Sequence, residues 1–406
     1  MKKNFSAWKV LGGLFFVYTI SNGIILNTLP AFYPQLMDNF GWNQSEVTRP
    51  ATLMYMTIAF LAPIVGILLD KFKPNSVIAF GIISLLIALF LYSQVASLQM
   101  LTSVYVLFAL GLTFGGIVSS MYLITKWFKK HRGLAVGIFL MASSVGGAIF
   151  PKIAGWGIQQ YDWRVAALIM FGIATVFTLV PLLFLIKNAP TKLGELSDEV
   201  EARGQEKNAD FEGITLKNAM KMPNFYLLLF VTAILWFCIT GVINHQTIYF
   251  EKDLQLPKNT VTSILSVFFI SSFIGKALFG YLSDKYNKRS MMLLAILNLL
   301  LGSTILKYIP LNINFLTFVF GIVYGIGFSG AFTMIQVIIA DFYGGVSYGK
   351  ILGVFTMIDT LAGSAGIGIL GKLRAESTSY TTGFDMLIVL CVISALCVII
   401  LKKRGE

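Results

Sequence analysis

About a dozen apolar runs, each near the 20 residues that carry a helix across hydrocarbon, take up most of this chain. Lipid offers no water to backbone N–H and C=O groups, so a segment that crosses it must be a helix or part of a closed barrel. Barrel strands alternate strictly between apolar and polar residues; these runs do not, and helices are what remains. The runs fall at 8–36, 46–69, 75–95, 100–127, 132–160 and 164–187, then at 223–250, 258–283, 289–308, 313–340, 350–371 and 383–401. The reading is an all-α membrane protein of twelve transmembrane helices in two six-helix halves. A hydrophobic share of 56%, only 12% charged residues and a mean hydropathy of +0.78 fit no soluble domain.

The formal net charge of +12 raises the question of a nucleic-acid partner. The cations sit instead in short loops between runs, and mostly on one side: Lys71, Lys73, Lys126, Lys129, Lys130, Arg132, Lys285, Lys288, Arg289 and Lys350, with Lys2, Lys3, Lys402, Lys403 and Arg404 at the ends. That is the positive-inside pattern. It excludes nucleic acid as the reason for the charge and places both termini and the central loop on the cytoplasmic side of a cell (plasma or inner) membrane. Cys238, Cys391 and Cys397 lie within apolar runs and read as small hydrophobes rather than a disulfide framework. The first run lacks an A-x-A-like cleavage site and is too long for a signal peptide, so it is expected to stay as a span. Lys402, Lys403 and Arg404 would anchor the last helix at the anionic leaflet.

The halves are expected at 1–187 and 223–406, joined by a cytoplasmic linker at 188–222 whose mixed charge and few apolar residues suit a flexible connector. An internal echo supports the division. GILLDKFK, from Gly66 to Lys73, returns 214 positions later as GYLSDKYNKR, from Gly280 to Arg289, and the same offset carries FGWNQS (Phe40–Ser45) onto LQLPKN (Leu254–Asn259). Within the eighth run, inside the apolar stretch that begins at Ser263, stands one lysine, Lys276. A charge at membrane depth costs several kcal/mol unless it faces water or a partner, so it marks a functional site by default. A duplicated helical chain with a charge at membrane depth describes a transporter.

These residues resemble the major facilitator superfamily, whose G-x-L-x-D-R/K-x-x-x-K/R loop appears in part at Gly66–Lys73 and more fully at Gly280–Arg289. Within it, the chain is similar to the monocarboxylate porter and oxalate/formate antiporter branch. FGWNQS looks like that branch's F-G-W-x-x-S, and KWFKKHRGLAVG (Lys126–Gly137) like its W-F-x-K-R-R-G-L-A-x-G. Asp162, Trp163 and Arg164 resemble its G-W-R, and GVINHQTIY (Gly241–Tyr249) its G-x-x-x-H-x-x-x-Y. The resemblance implies a major facilitator fold, alternating access, no cofactor, no metal and no enzyme activity. It also shows departures. Lys276 replaces the branch's span-eight arginine, Asn27 stands where animal porters carry a lysine, and Asp359 occupies the position of the antiporters' span-eleven lysine.

Lys276 precedes Asp284, at the end of its span, by eight residues, and Asp359 follows Lys350, at the start of its span, by nine. Both therefore sit about 12–14 Å above one membrane face. In the superfamily fold both spans border the central cavity, so Lys276 is expected to attract a substrate carboxylate, and Asp359 to exchange a proton or hold the lysine when the site is empty. The alternative is a structural ion pair, or a lysine snorkelling to the interface. His245 is expected to hydrogen-bond substrate or relay protons, against its use as a satisfied packing residue. Asn27, Tyr122 and Tyr249 are candidate neutral donors to substrate, and Trp236 and Phe332 candidate apolar lining. Lys152 reads as a snorkelling side chain, with anion recruitment as its alternative. The paired loops, with Asp70, Lys71, Asp284, Lys285 and Arg289, read as gate-stabilising.

The expected cargo is a small organic anion, a monocarboxylate moved with protons by a monomeric carrier. A zwitterionic amino-acid-like metabolite and an amphipathic compound for export are the alternatives, and a non-transporting sensor the rival class. An enzyme would need a nucleophile–base or metal cluster; two histidines and no glycine-rich phosphate loop argue against one.

Overall fold

A computed structural model describes residues 4–188, 214–345, 347–377 and 379–401. Most of the expected linker and the C-terminal Lys402, Lys403 and Arg404 lie outside the described residues. Twelve helices among these are long and apolar enough to cross a membrane: α1 (Ala7–Phe40), α2 (Glu46–Lys71), α3 (Pro74–Ser93), α4 (Leu98–Trp127), α5 (Arg132–Gln160), α6 (Trp163–Phe184), α7 (Pro223–Asp253), α8 (Asn259–Lys285), α9 (Lys288–Leu311), α10 (Ile313–Tyr343), α11 (Tyr348–Ser377) and α12 (Thr381–Ile400). The chain is a multi-pass membrane protein.

Helix starts follow local chemistry. Asn43 and Glu46 form a capping box ahead of α2. Ser97, Asp162 and Asn312 each accept a backbone N–H in the first turn of α4, α6 and α10. Prolines open α3 and α7, where no intrahelical N–H is lost.

The helices group into two compact units, one spanning Met1–Gly213 with Gly345–Met357, the other Ile214–Gly344 with Ile358–Glu406. In the first, α1 and α5 approach to backbone contact: a Cβ added at Gly146 would lie 2.4 Å from the Thr19 carbonyl oxygen and 2.8 Å from the Gly23 Cα. Such small-residue crossings are how membrane helices pack without a hydrophobic drive between them. Gly146→Val is expected to lower thermal stability in detergent by several degrees, since overpacking costs about 1–3 kcal/mol. Gly172→Ala on α6, with nothing within 4 Å of the new methyl, is the matched control and should leave the melting temperature unchanged.

Just past this crossing, α1 leaves α-geometry for a π-turn at Gly23–Thr28 and a 3-10 turn at Leu29–Phe32 before resuming at Tyr33. At the same end of the unit the FGW and DWR segments meet. Phe40 stacks on Trp42 at 4.4 Å, and Arg164 lies 4.4 Å above the Trp163 ring while donating to the Ser93 carbonyl at 2.7 Å. These two motifs hold helix ends together. The stretch Gly345–Met357 joins this unit through α2: a Cβ on Gly66 would strike the Gly349 carbonyl oxygen at 2.1 Å, and one on Gly353 the Ala62 carbonyl oxygen at 2.5 Å.

In the second unit α8 and α10 are the intimate pair. A Cβ on Gly275 would meet the Ser329 hydroxyl at 2.0 Å, and one on Gly325 the Phe268 carbonyl oxygen at 2.6 Å. Thr240 of α7 donates to the Gly363 carbonyl of α11 at 2.7 Å, and the Tyr324 hydroxyl of α10 donates to the Cys238 carbonyl at 3.1 Å. The three cysteines are free thiols.

Candidate functional site

The close α8–α10 packing sets the environment of Lys276, which is 2% exposed. Its ammonium stands 5.4 Å from the centroid of the Phe328 ring and 5.7 Å from that of Phe332, one turn apart on α10 with their rings nearly parallel. A cation over aromatic faces gains about 0.5–2 kcal/mol, more as water is excluded. Trp236 of α7 meets the Phe332 ring edge to face at 5.2 Å. Thus both aromatic candidates lie in one cluster, and the Phe332 ring faces the lysine.

The same helix faces carry polar atoms without protein partners. Ser272, one turn before Lys276 on α8, and Gln336, one turn after Phe332 on α10, are buried, and the Ser272 Oγ and Gln336 Oε1 accept or donate no hydrogen bond. Unsatisfied buried polar atoms are rare in native proteins, and a polar ligand is one explanation for a cluster of them.

Asp359 on α11 is 5% exposed, and its Oδ1 is likewise without a hydrogen-bond partner. Thr232 of α7 faces the carboxyl, its hydroxyl divided between that group and the Leu229 carbonyl at 3.2 Å. Lys276 thus lies beside the Phe328 and Phe332 rings, and Asp359 beside the Thr232 hydroxyl.

The neutral donors separate. Asn27 lies in the π-turn of α1, exposed, its carboxamide donating to the Asn22 carbonyl at 3.1 Å and the Asn22 side-chain oxygen at 3.2 Å. Asn22 in turn donates to the Tyr18 hydroxyl at 3.3 Å, which makes a polar line along α1. π-turns are rare and often occur at functional positions. Tyr122 belongs to a different group. Lys126 stands 5.2 Å above its ring, and a Cβ on Gly349 would lie 3.3 Å from Tyr122 and 3.2 Å from the Asp70 carboxylate. Asp70 itself faces the Lys350 ammonium at 3.7 Å.

His245 and Tyr249 lie in a third group, at the end of the second unit away from Asp284. Both ring nitrogens of His245 are engaged, Nδ1 with the Tyr380 hydroxyl at 2.7 Å and Nε2 with the Ile367 carbonyl at 2.9 Å. The Tyr249 hydroxyl donates to the Leu306 carbonyl at 3.0 Å, and its ring meets those of Tyr380 and Phe384 edge to face. Among the gate candidates of the second unit, Lys285 stands over its neighbour Tyr281 at 4.3 Å, and Arg289 donates to the Ile399 carbonyl at 2.9 Å. Asp284 lies in the last turn of α8, and Lys71, exposed, ends α2. Among the described residues no group of three His, Cys, Asp or Glu is placed to hold a metal ion.

Four partners escape a reading of the sequence: Phe328 under Lys276, Thr232 beside Asp359, Tyr380 on His245, and Lys350, legible only as a loop cation, on Asp70. Each lies more than 50 residues from the group it serves. Only the one-turn spacing of Phe328 and Phe332 hints at a shared face.

The profile of the Major Facilitator Superfamily matches residues 14–249 and 225–406. The uncharacterized MFS-type transporter YcxA of Bacillus subtilis (strain 168) is 25% identical over 386 residues, 93% of this chain and 90% of that protein. Monocarboxylate transporter 13 of Bos taurus is 24% identical over 391 residues, 93% and 85% of the two chains. The crystal structure of the superfamily transporter FucP in the outward conformation superposes with a TM-score of 0.72 over 97% of this chain and 98% of its own, at 11% identity, a likeness of fold alone. The twelve helices and a family profile that matches nearly the whole length agree: the chain belongs to the Major Facilitator Superfamily and is a transporter, not an enzyme.

Proposed function

We propose that the protein carries a small organic anion, a monocarboxylate, across the cell (plasma or inner) membrane together with a proton, by alternating access and as a monomer. The observation that carries this reading is Lys276, a cation buried at membrane depth against Phe328 and Phe332 with unsatisfied polar atoms on the same faces. A carboxylate with a short apolar tail matches a cation beside aromatic rings. Asp359 is the proton-carrying group, since a carboxyl can cycle between charged and neutral forms as the carrier turns over. Likeness to a protein named as a monocarboxylate transporter supports the cargo class. Positive-inside loops support cytoplasmic termini. A second reading, a zwitterionic metabolite, draws on Asp359 as a buried negative partner in the same unit as Lys276.

The test is uptake of a labelled carboxylate panel into proteoliposomes, with and without an inward proton gradient. Gradient-stimulated uptake of lactate- or pyruvate-like acids is expected. Uptake of amino acids with no carboxylate flux would favour the zwitterion.

The Asp70, Lys350, Tyr122 and Lys126 group acts on turnover rather than on substrate. Asp70→Asn should slow transport by about two- to tenfold, the worth of one weakened ion pair, and leave the apparent KM unchanged. Initial rates over a substrate series check this; a raised KM at constant maximal rate would assign Asp70 to binding instead.

A further inference from the structure

A pocket of about 370 Å³ lies at the end of the second unit away from Asp284, and the transport reading makes no use of it. Lys252, Asp253 and Leu254 from the end of α7 line it, with Lys307 and Pro310 from the end of α9 and Thr381 from the start of α12. Sites for small ligands run from about 300 to 1,000 Å³, so there is room here for one compact polar group.

The α7 wall is built from two uncommon pieces of backbone. The π-turn Tyr249–Asp253 ends the span, and Gln255 then takes a φ of 53°, in the left-handed region that disfavours a side chain. The Leu254 and Leu256 N–H groups close this turn onto the Tyr249 and Phe250 carbonyls at 3.0 and 2.9 Å. Strained backbone persists where the surrounding structure holds it, and it clusters at functional positions. Here it brings Lys252, Asp253 and Leu254 to the pocket edge.

The charges around the pocket do not cancel. Arg374 forks onto Asp253 at 2.6 and 3.3 Å, and Lys307 meets Asp385 at 2.5 Å, so both carboxylates are occupied. Lys252 is exposed and makes no ion pair among the described residues. Three cations, Lys252, Lys307 and Arg374, thus stand against two carboxylates, and the surplus is positive. Glu251, on the same turn, is not part of the lining. An ammonium has three hydrogens, and Lys307 gives one to Asp385.

The lining residues stand at helix ends, the depth at which lipid headgroups lie. The adjoining spans carry exposed apolar side chains, Leu297, Leu301 and Tyr308 on α9 and Val389, Val392 and Leu396 on α12. Each set falls on one face of its helix. Lys307 and Asp385 tie these two helices at the pocket end, and Arg289 on the Ile399 carbonyl ties them at the other. A cationic pocket at the head of an apolar track matches an amphiphile better than a free ion.

We propose that this pocket seats the phosphate of an anionic lipid headgroup between Lys252 and Lys307, with the acyl chains along α9 and α12. Lys307 binds it through its remaining hydrogens without leaving Asp385. The phosphate then ties the end of α7 to the end of α9. In the orientation proposed above, the lipid belongs to the outer leaflet.

The full chain in detergent micelles, titrated with phosphatidylglycerol or phosphatidylcholine, tests this without reference to transport. Native mass spectrometry counts bound lipids, and a water-soluble amine-reactive reagent reports on each lysine through peptide masses. Phosphatidylglycerol should bind in preference and slow labelling of Lys252 and Lys307 severalfold. Lys372 of α11, well exposed at the same end, controls for charge attraction alone and should label at an unchanged rate. A lysine near an anionic headgroup is worth about a fivefold factor, so Lys252→Gln should weaken phosphatidylglycerol binding about fivefold and Lys252→Arg should keep it. Equal binding of the two lipids, or labelling of Lys252 and Lys307 that ignores phosphatidylglycerol, would overturn the site. Protection of both lysines by soluble glycerol 1-phosphate or lactate at the same concentration would make it a pocket for a free anion and overturn the lipid. Labelling is read on the wild-type chain, so the folding of a variant does not bear on the outcome.

Discussion

Lys276→Met is expected to abolish carboxylate uptake while leaving the protein as stable as before, or slightly more so. The ammonium is the only charge assigned to substrate in the proposed mechanism. Losing one partner of a buried charged contact costs about 2–5 kcal/mol, which lowers carboxylate affinity by roughly 30- to several thousandfold. The fold should tolerate the change, because methionine nearly fills the lysine stem's volume between Gly275 and the Phe328 and Phe332 rings. Removing an ionised group from an apolar surround also removes the cost of its desolvation. Measured uptake and a melting curve therefore move apart, and that divergence separates a ligand-binding lysine from a structural one. Lys276→Arg should fall between. It keeps the charge, but the planar guanidinium is larger and must fit where α8 and α10 already touch at Gly275 and Ser329. Wild-type carboxylate flux in Lys276→Met would remove the lysine from the site and, with it, the case for an anionic cargo.

The spans were legible to within a few residues because a run of apolar residues of fixed length has one solution in lipid. The ends that differ do so for local reasons. α11 continues to Ser377, beyond the expected 371, because its polar last turn is paired: Lys372 with Glu376, Arg374 with Asp253. α1 runs to Phe40 rather than 36 through the π and 3-10 turns around Pro30, which keep the chain helical where α-geometry fails. The FGW and DWR segments were legible as motifs, yet their joint role at Phe40, Trp42, Trp163 and Arg164 needed the fold. Lys276, Asp359 and His245 stood out because charged and titratable groups are costly in lipid. What each does depends on a partner brought in by tertiary packing. Tyr122 illustrates this: read beside Asn27 as a donor to substrate, it lies instead with Asp70, Lys126 and Gly349.

Asp359→Asn should keep substrate exchange and lose proton-driven accumulation. A carboxamide has the carboxyl's size, and its oxygen can still take the Thr232 hydroxyl hydrogen, so the contact between α7 and α11 survives the change. What it cannot do is bind and release a proton. A pH difference of one unit is worth about 1.4 kcal/mol, which lets a one-proton symporter hold roughly a tenfold substrate gradient. With asparagine at 359 that ratio should fall to one, while counterflow of labelled against unlabelled substrate continues, since exchange requires no net proton movement. The pairing of results is what carries the argument. Loss of both activities would make Asp359 part of the substrate site, as the zwitterion reading requires, because a cargo amine would have lost its anionic partner. Retention of both would leave Asp359 as a packing residue held by Thr232. Only accumulation lost with exchange kept assigns the proton to this carboxyl, and it does so without reference to His245, whose two ring nitrogens are already committed to Tyr380 and Ile367.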